Sequence, residues 1–480
     1  MIDTDVLEKV IDHAQKLGAT YVEARAIEGK GRSLFAQQGA LVSATEGQSS
    51  GIGIRVMKGG GMAFVSSDSL EKRSVLTLVE RAAKSAVNSK RKTSLDLGKK
   101  ISSVDKWKVE VKEKFSNIDD DTFLSLVQQH TDAIKGIPKP ALIANFLCQF
   151  SVTELKKYLY TSEGTRLEAD ISAVGGFAFC AAKATGGMEQ RYHTIYGTGG
   201  WEWFKEKNLF ELLKEDTIQV TEIAEKAESV NISEPITMVV GSEVAGIISH
   251  ENVGHPSEGD RIMGREAAQA GESYWKHYLK TIGKEIVGSE HVSVSEDPTI
   301  VGSPGFYKYD DEGIPARKRR LIVKGRLNEP LLNREYGKRF GLESNGAARA
   351  DGYAREPIIR MASTFIEPGS FTMDEMVTEI NKGIYMKSFT EWNIDDVRFQ
   401  SKYVGLECYL IENGEITTKR VKRPTLETTS LGLFKSIDAC GKPETIELHH
   451  AGTCGKGDPM QLAPVMMSGP TLRIREVRLG

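Results

Sequence analysis

The chain has 480 residues, with 63 Lys plus Arg against 66 Asp plus Glu, a net charge of −3. That balance excludes a protein held to nucleic acid or to a membrane chiefly by bulk charge. A composition 40% hydrophobic and 27% charged excludes a largely disordered or fibrous chain, and the length points to two domains rather than one core.

The opening stretch, MIDTDVLEKVIDHAQKLG, lacks the apolar core of a signal peptide. No run approaches the ~18 apolar residues of a membrane span. Five scattered cysteines (Cys148, Cys180, Cys408, Cys440, Cys454) show no CxxC spacing. They read as thiols of a reducing compartment rather than a disulfide scaffold. The expected location is the cytoplasm.

Residues 3–17 read as a helix, capped by Asp3 or Thr4, with Val6, Val10, Ile11 and Ala14 on one face and Gly18 as its stop. Strand-like segments follow: YVEARAIE, SLFAQQGALVSATEG and GIGIRVMKGGGMAFVSS. The triplet Gly59-Gly60-Gly61 reads as a hairpin turn without a ligand. The 3.6-residue spacing predicts a second helix over 70–88, a basic exposed loop follows in KRKTSLDLGKK, and a third helix runs over 119–134. Strand-like segments fill 141–203, and one long polar helix is predicted over 204–229. NISEP, at 231–235, marks a change of register. It places the domain boundary between residues 1–230 and 231–480. No period of 20–50 residues repeats, which argues against a solenoid or propeller.

Beyond that boundary a short strand, ITMVVG, leads into SEVAGIISHENVGHPSEGD. Ser242 is a suitable helix cap, and the helix carries His250, Glu251 and His255 to its end. Two imidazoles can hold zinc, and a glutamate beside them can take a proton from water. The familiar HExxH spacing sets its histidines one turn apart. Here they stand at i and i+5, a rotation of roughly 140° on an ideal α-helix. Two geometries bring both to one ion. The helix widens into a π turn with i→i+5 bonding, or it unwinds at Gly254, as the residue before Pro256 tends to avoid the α region. A surface helix with two unrelated histidines fits the same letters.

A catalytic zinc takes three protein ligands and an open position. Candidates for the third are Glu258, Asp260, His277, His291, His449, His450 and Cys454. Cys454 stands among glycines in GTCGKG, a loop where backbone and thiolate can approach an ion closely. The same loop is no phosphate loop, since Gly457 occupies the place of the magnesium-binding Ser or Thr.

HENVGHPSEGD resembles the metal-site motif of the TldD/PmbA family, specifically its TldD branch with the HExxxH signature. The resemblance continues through DDEG at 310–313, REPIIRMASTFIEPG at 355–369, YLIENGEI at 409–416, GTCGKG at 452–457 and GPTLRI at 469–474, and more loosely through YVEAR at 21–25. It implies an α+β protein of two domains, an α/β N-terminal domain and a mainly β C-terminal domain that carries the metal site. It further implies zinc held by His250, His255 and Cys454, with Glu251 as general base. Short or unfolded peptides are the implied substrates, and the implied assembly is a dimer with itself or with a PmbA-type partner. The serine of RMASTF, the DPM after GTCGKG and the VRLG tail depart from the family pattern. A regulatory subunit with a structural metal is the alternative function. A thiol hydrolase built on Cys454 with His449 or His450 as base is a third reading. Arg360, Tyr353 and His449 are candidates for stabilising the oxyanion.

Overall fold

The computed structural model describes residues 2–89, 95–265, 271–447 and 450–479. The basic loop at 90–100 lies partly outside these residues, and His449 lies wholly outside them.

The first helix, α1 (Thr4–Lys16), buries Val6, Leu7, Val10, Ile11 and Ala14 as one stripe. Asp3 caps it by accepting the Asp5 N–H, and Gly18 closes it at φ +82°. Strands that the sequence suggests as short pieces are continuous. β1 (Tyr21–Gln37) and β2 (Ala40–Lys58) pair along nearly their whole length, and the turn between them falls at Gln38-Gly39. β3 (Gly61–Ser67) pairs back on β2 through a two-residue turn. Gly59 and Gly60 take φ of 62° and 81° there, as a primed turn requires. After α2 (Lys72–Asn88), β4 (Val104–Lys108) and α3 (Asp120–Lys135) come β5 (Ile143–Thr161), β6 (Arg166–Ala184) and β7 (Gly187–Thr198). The seven strands form one sheet in the order β3-β2-β1-β5-β6-β4, with β7 also on β6. Only β4 runs parallel to its neighbour. Apolar faces of α1 and α2 cover one part of this sheet, and helices further on cover another.

The single helix expected over 204–229 is two, α4 (Trp201–Lys207) and α5 (Leu209–Lys226). Asn208 breaks it at φ 42°, a left-handed conformation that asparagine tolerates.

The following residues are mostly β. β8 (Ile236–Val240) is central in a six-stranded sheet, parallel to Lys382–Met386 and antiparallel to Leu472–Val477. A second six-stranded sheet contains Ser363–Ile366 beside a hairpin of His450–Lys456 and Gln461–Ser468, here the cysteine hairpin. A three-stranded sheet contains a hairpin of Phe389–Ile394 and Gln400–Gly405, here the tryptophan hairpin. The whole is therefore a mixed α+β protein, mostly β in its second half. The buried residues of one large apolar cluster lie between Ile236 and Val477, with Val230, Ile232 and Leu479 packed against it.

Buried charge stitches the two halves together. Arg55, 3% exposed, reaches Glu23 on the neighbouring strand and Glu312, 257 residues away, at 3.0 Å. Removing one partner of such a cluster would leave an uncompensated buried charge, at about 3–5 kcal/mol. Among the described residues no helix is long and apolar enough to cross a membrane.

Candidate metal centre

β8 feeds directly into α6 (Ser242–Ser249). Gly241 rather than Ser242 is the cap, because the Ser242 hydroxyl donates instead to the carbonyls of Glu447 and Gly469. The helix lies against the second sheet. A Cβ on Gly246 would stand 3.1 Å from Met467 backbone atoms, and the Ser249 hydroxyl bonds the carbonyls of Thr364 and Ser468. This close seating sets the helix end beside the cysteine hairpin.

At that end the backbone widens. His250–Gly254 is a π turn, with the His255 N–H bonded to the His250 carbonyl five residues back. The unwinding at Gly254 does not occur, and His255 keeps α-region angles (φ −60°, ψ −46°) despite the proline that follows. Gly254 serves close approach, since a Cβ there would stand 2.1 Å from Met361 Sδ. The wider turn brings the two imidazoles together, with ring centroids 4.8 Å apart.

Across from them stands Cys454, 199 residues from His255, with Sγ 3.3 Å from His255 Nε2. Ligand atoms of His250, His255 and Cys454 all lie within 4.8 Å of one another, and all three residues are buried. His250 Nδ1 has no protein hydrogen-bond partner. Burial lowers the His250 pKa and so favours the neutral ring that a metal needs. Burial would raise the Cys454 thiol, but the charge and hydrogen bond of His255 outweigh it and hold the thiol below its ordinary value. Two imidazoles and a thiolate-prone cysteine at this spacing fit a tetrahedral ion such as zinc.

The Glu251 carboxylate is held by two donors from elsewhere in the chain. The Trp392 indole N–H donates to its Oε1 at 3.2 Å, and the Arg398 guanidinium donates to its Oε2 at 3.3 Å. Both partners come from the tryptophan hairpin, and Trp392 is 44% exposed. Burial would raise the Glu251 pKa; His255, His250 and Arg398 reverse that and hold it below the usual carboxylate value. Asn252 locks the turn from behind. Its amide donates to Ser401 and Ser430, and its oxygen accepts from Tyr403.

Four of the other third-ligand candidates fall elsewhere, and the side chains of His449 and His450 lie outside the described residues. Glu258 bonds His255 from outside the trio, Asp260 pairs with Lys456, and His277 and His291 are exposed. Arg360 donates to the carbonyls of Cys454 and Gln461, so it braces the cysteine hairpin. Tyr353 packs over Gly51. Sequence reading missed Trp392, Arg398 and Lys456. Lys456 carried a signal, two residues past Cys454 and so on the same strand face. Trp392 and Arg398 carried none.

A family model described as the PmbA/TldA metallopeptidase C-terminal domain matches residues 233–480, and its domain 1 counterpart matches 22–86. The chain is 28% identical over 480 residues to a metalloprotease of Methanocaldococcus jannaschii, covering 96% of this chain and 97% of that one. It is 27% identical to a zinc metalloprotease TldD homolog of Saccharolobus solfataricus, covering 51% of each chain. A Thermotoga maritima protein described as a modulator of a DNA gyrase has the same fold, with a TM-score of 0.76, 17% identity and 99% of each chain covered. Matched by the C-terminal domain model over more than half its length and by domain 1 near its start, the chain belongs to the TldD/PmbA metallopeptidase family.

Proposed function

We propose that this protein is a zinc-dependent peptidase of the TldD branch, cleaving short or unfolded peptides with little sequence selectivity. His250, His255 and Cys454 are its metal ligands and Glu251 its general base. The observation that carries the reading is the buried trio with a glutamate next to it that none of the three requires as a fourth ligand. Zinc held there supplies a Lewis acid and lowers the pKa of water. Glu251 takes the proton of the attacking water on a carboxylate oxygen and delivers it to the leaving amine. Arg398 sets a positive charge beside that carboxylate and stabilises the negative charge that develops on the substrate carbonyl. The exposed tryptophan hairpin offers the substrate its approach.

Residues 1–230 and 231–480 form the two domains of this reading, the second carrying the catalysis. The protein works in the cytoplasm as a dimer, with a second copy or with a PmbA-type paralogue. Purified protein should contain zinc and cleave an unstructured peptide, and chelation should abolish the cleavage. Glu251→Gln should retain zinc and lose about 10²- to 10⁴-fold in kcat. Unchanged cleavage with zinc retained eliminates Glu251 as the base. Stoichiometric zinc with no cleavage by the wild type favours a regulatory subunit instead.

A further inference from the structure

We propose that Glu258 and Lys456 are positioning residues that couple the histidine half of the metal site to its cysteine half. Through them, loss of one charge loosens ligands on both elements. The inference rests on the reading of His250, His255 and Cys454 as ligands.

The geometry is a continuous chain. Glu258 Oε2 lies 3.2 Å from His255 Nδ1, and His255 Nε2 lies 3.3 Å from Cys454 Sγ. An Nδ1–H donated to Glu258 fixes the tautomer whose Nε2 lone pair faces the cysteine, as a metal ligand requires. Glu258 Oε1 lies 3.4 Å from the Lys456 ammonium. Lys456 also donates to Asp260 at 2.7 Å and to the Ile359 carbonyl at 2.9 Å. Cys454 and Lys456 are two residues apart on one strand and so share a face. One carboxylate therefore touches the imidazole of one half and the ammonium of the other. Arg261 also donates to Oε2 at 3.0 Å, whereas Oε1 has the Lys456 ammonium as an ion partner without a hydrogen bond.

Stability of the fold is a poor reason for this cluster. The side chains of Glu258 and Lys456 are 0% exposed and that of Asp260 is 2% exposed. Buried ion pairs of this kind rarely stabilise more than well-packed apolar residues of the same volume. What they offer is a fixed geometry. The two metal-binding elements are far apart in sequence, and their ligands meet where His255 Nε2 stands 3.3 Å from Cys454 Sγ. A ligand set drawn from two such elements needs a link that holds the spacing before the ion arrives. Glu258 supplies orientation to the ring, and Lys456 ties that orientation to the strand of the thiol.

The test measures metal binding, with no peptide present. Protein stripped by a chelator is titrated with zinc against a chromophoric competitor, and cobalt(II) is loaded separately for absorption spectra. Glu258→Gln should weaken zinc binding about 10- to 100-fold and alter the cobalt ligand-field bands. Lys456→Gln should weaken binding in the same direction. The double variant should lose little beyond Glu258→Gln alone, because the lysine acts through the carboxylate. Thermal unfolding of the metal-free forms separates this from general damage. If Glu258→Gln does not fold, Glu258→Asp carries the same expectation, since it keeps the charge facing Lys456 and shortens the reach to His255.

Zinc affinity of Glu258→Gln within about twofold of wild type, with unchanged cobalt bands, overturns the proposal. Additive losses in the double variant overturn the coupling. Wild-type protein that takes up no zinc refutes the ligand reading itself, an outcome distinct from a wild type that binds zinc and variants that bind it equally well.

Discussion

Among the described side chains, the buried histidines before residue 231 are His130 and His193, and after it His250 and His255. The two sets are equally hidden and chemically unlike. His130 packs against Phe146 with ring centroids 4.9 Å apart, and neither ring nitrogen finds a hydrogen bond. Burial alone pushes its pKa down to about 4. His193 stands 2.8 Å from Asp216, which also binds Arg191, so it belongs to a bridge between β7 and α5. The rings after residue 231 face each other and a thiol. Burial by itself yields a neutral, inert ring. A metal centre needs the ring nitrogens aimed at one another's empty space, with carboxylates arranged behind them.

The contrast breaks most visibly at the tryptophan hairpin. Arg398→Ala should lower kcat by about 10²- to 10³-fold, the usual loss for one donor to developing negative charge. Zinc content should stay at the wild-type level by metal analysis. If zinc is lost with the arginine, the hairpin belongs to the metal centre and not to the substrate side.

The next largest effect lies in the first region and concerns stability only. Unfolded His130 titrates near its ordinary value of 6.5, whereas folded His130 stays neutral down to about 4. The unfolded chain therefore binds more protons between those limits, and the stability this group contributes is lost as pH falls through them, by up to about 3 kcal/mol. His130→Leu should flatten the acid slope of the unfolding midpoint in that window while zinc and cleavage remain unchanged. An unaltered slope would show that His130 is not the group titrating.

Smallest is the effect of Gly254→Ala. The added methyl meets Met361 Sδ, and overpacking of this sort costs about 1–3 kcal/mol. Denaturant unfolding reads that cost directly. A drop in zinc affinity far beyond the change in stability would show that the π turn, and not merely its packing, had been disturbed.

Much of the fold was legible where local rules dominate. The periodic stripe of α1, its Asp3 cap and its Gly18 stop follow from spacing and side-chain chemistry. So does the primed turn at Gly59-Gly60. Strand lengths were not legible, because β1 and β2 continue through glycines and polar residues that pair across the sheet only in the folded state. The break at Asn208 was hidden for a similar reason, since a helical pattern runs on both sides of one left-handed residue. In the site, the His250 to His255 spacing pointed to a metal, and the family resemblance singled out Cys454 from seven candidates. The partners of Glu251 were invisible. Trp392 and Arg398 lie more than 140 residues away from it on a hairpin whose docking depends on Asn252 and its hydroxyl-bearing neighbours.

The π turn at His250–Gly254 also sets the phase of everything downstream. An inserted residue advances the chain by about 100° relative to an uninterrupted helix. The sequence after His255 is written for that offset, with a carboxylate at 258 reaching back to the ring and another at 260 reaching out to Lys456. Deleting Val253 would restore the ordinary i, i+4 interval and leave both histidines on one face. It would also swing His255, Glu258 and Asp260 together away from Cys454 and Lys456, which stand on a separate strand. The motif is thus a unit of eleven residues, from His250 to Asp260, and its spacing cannot be shortened to the common form without rewriting the second half of it.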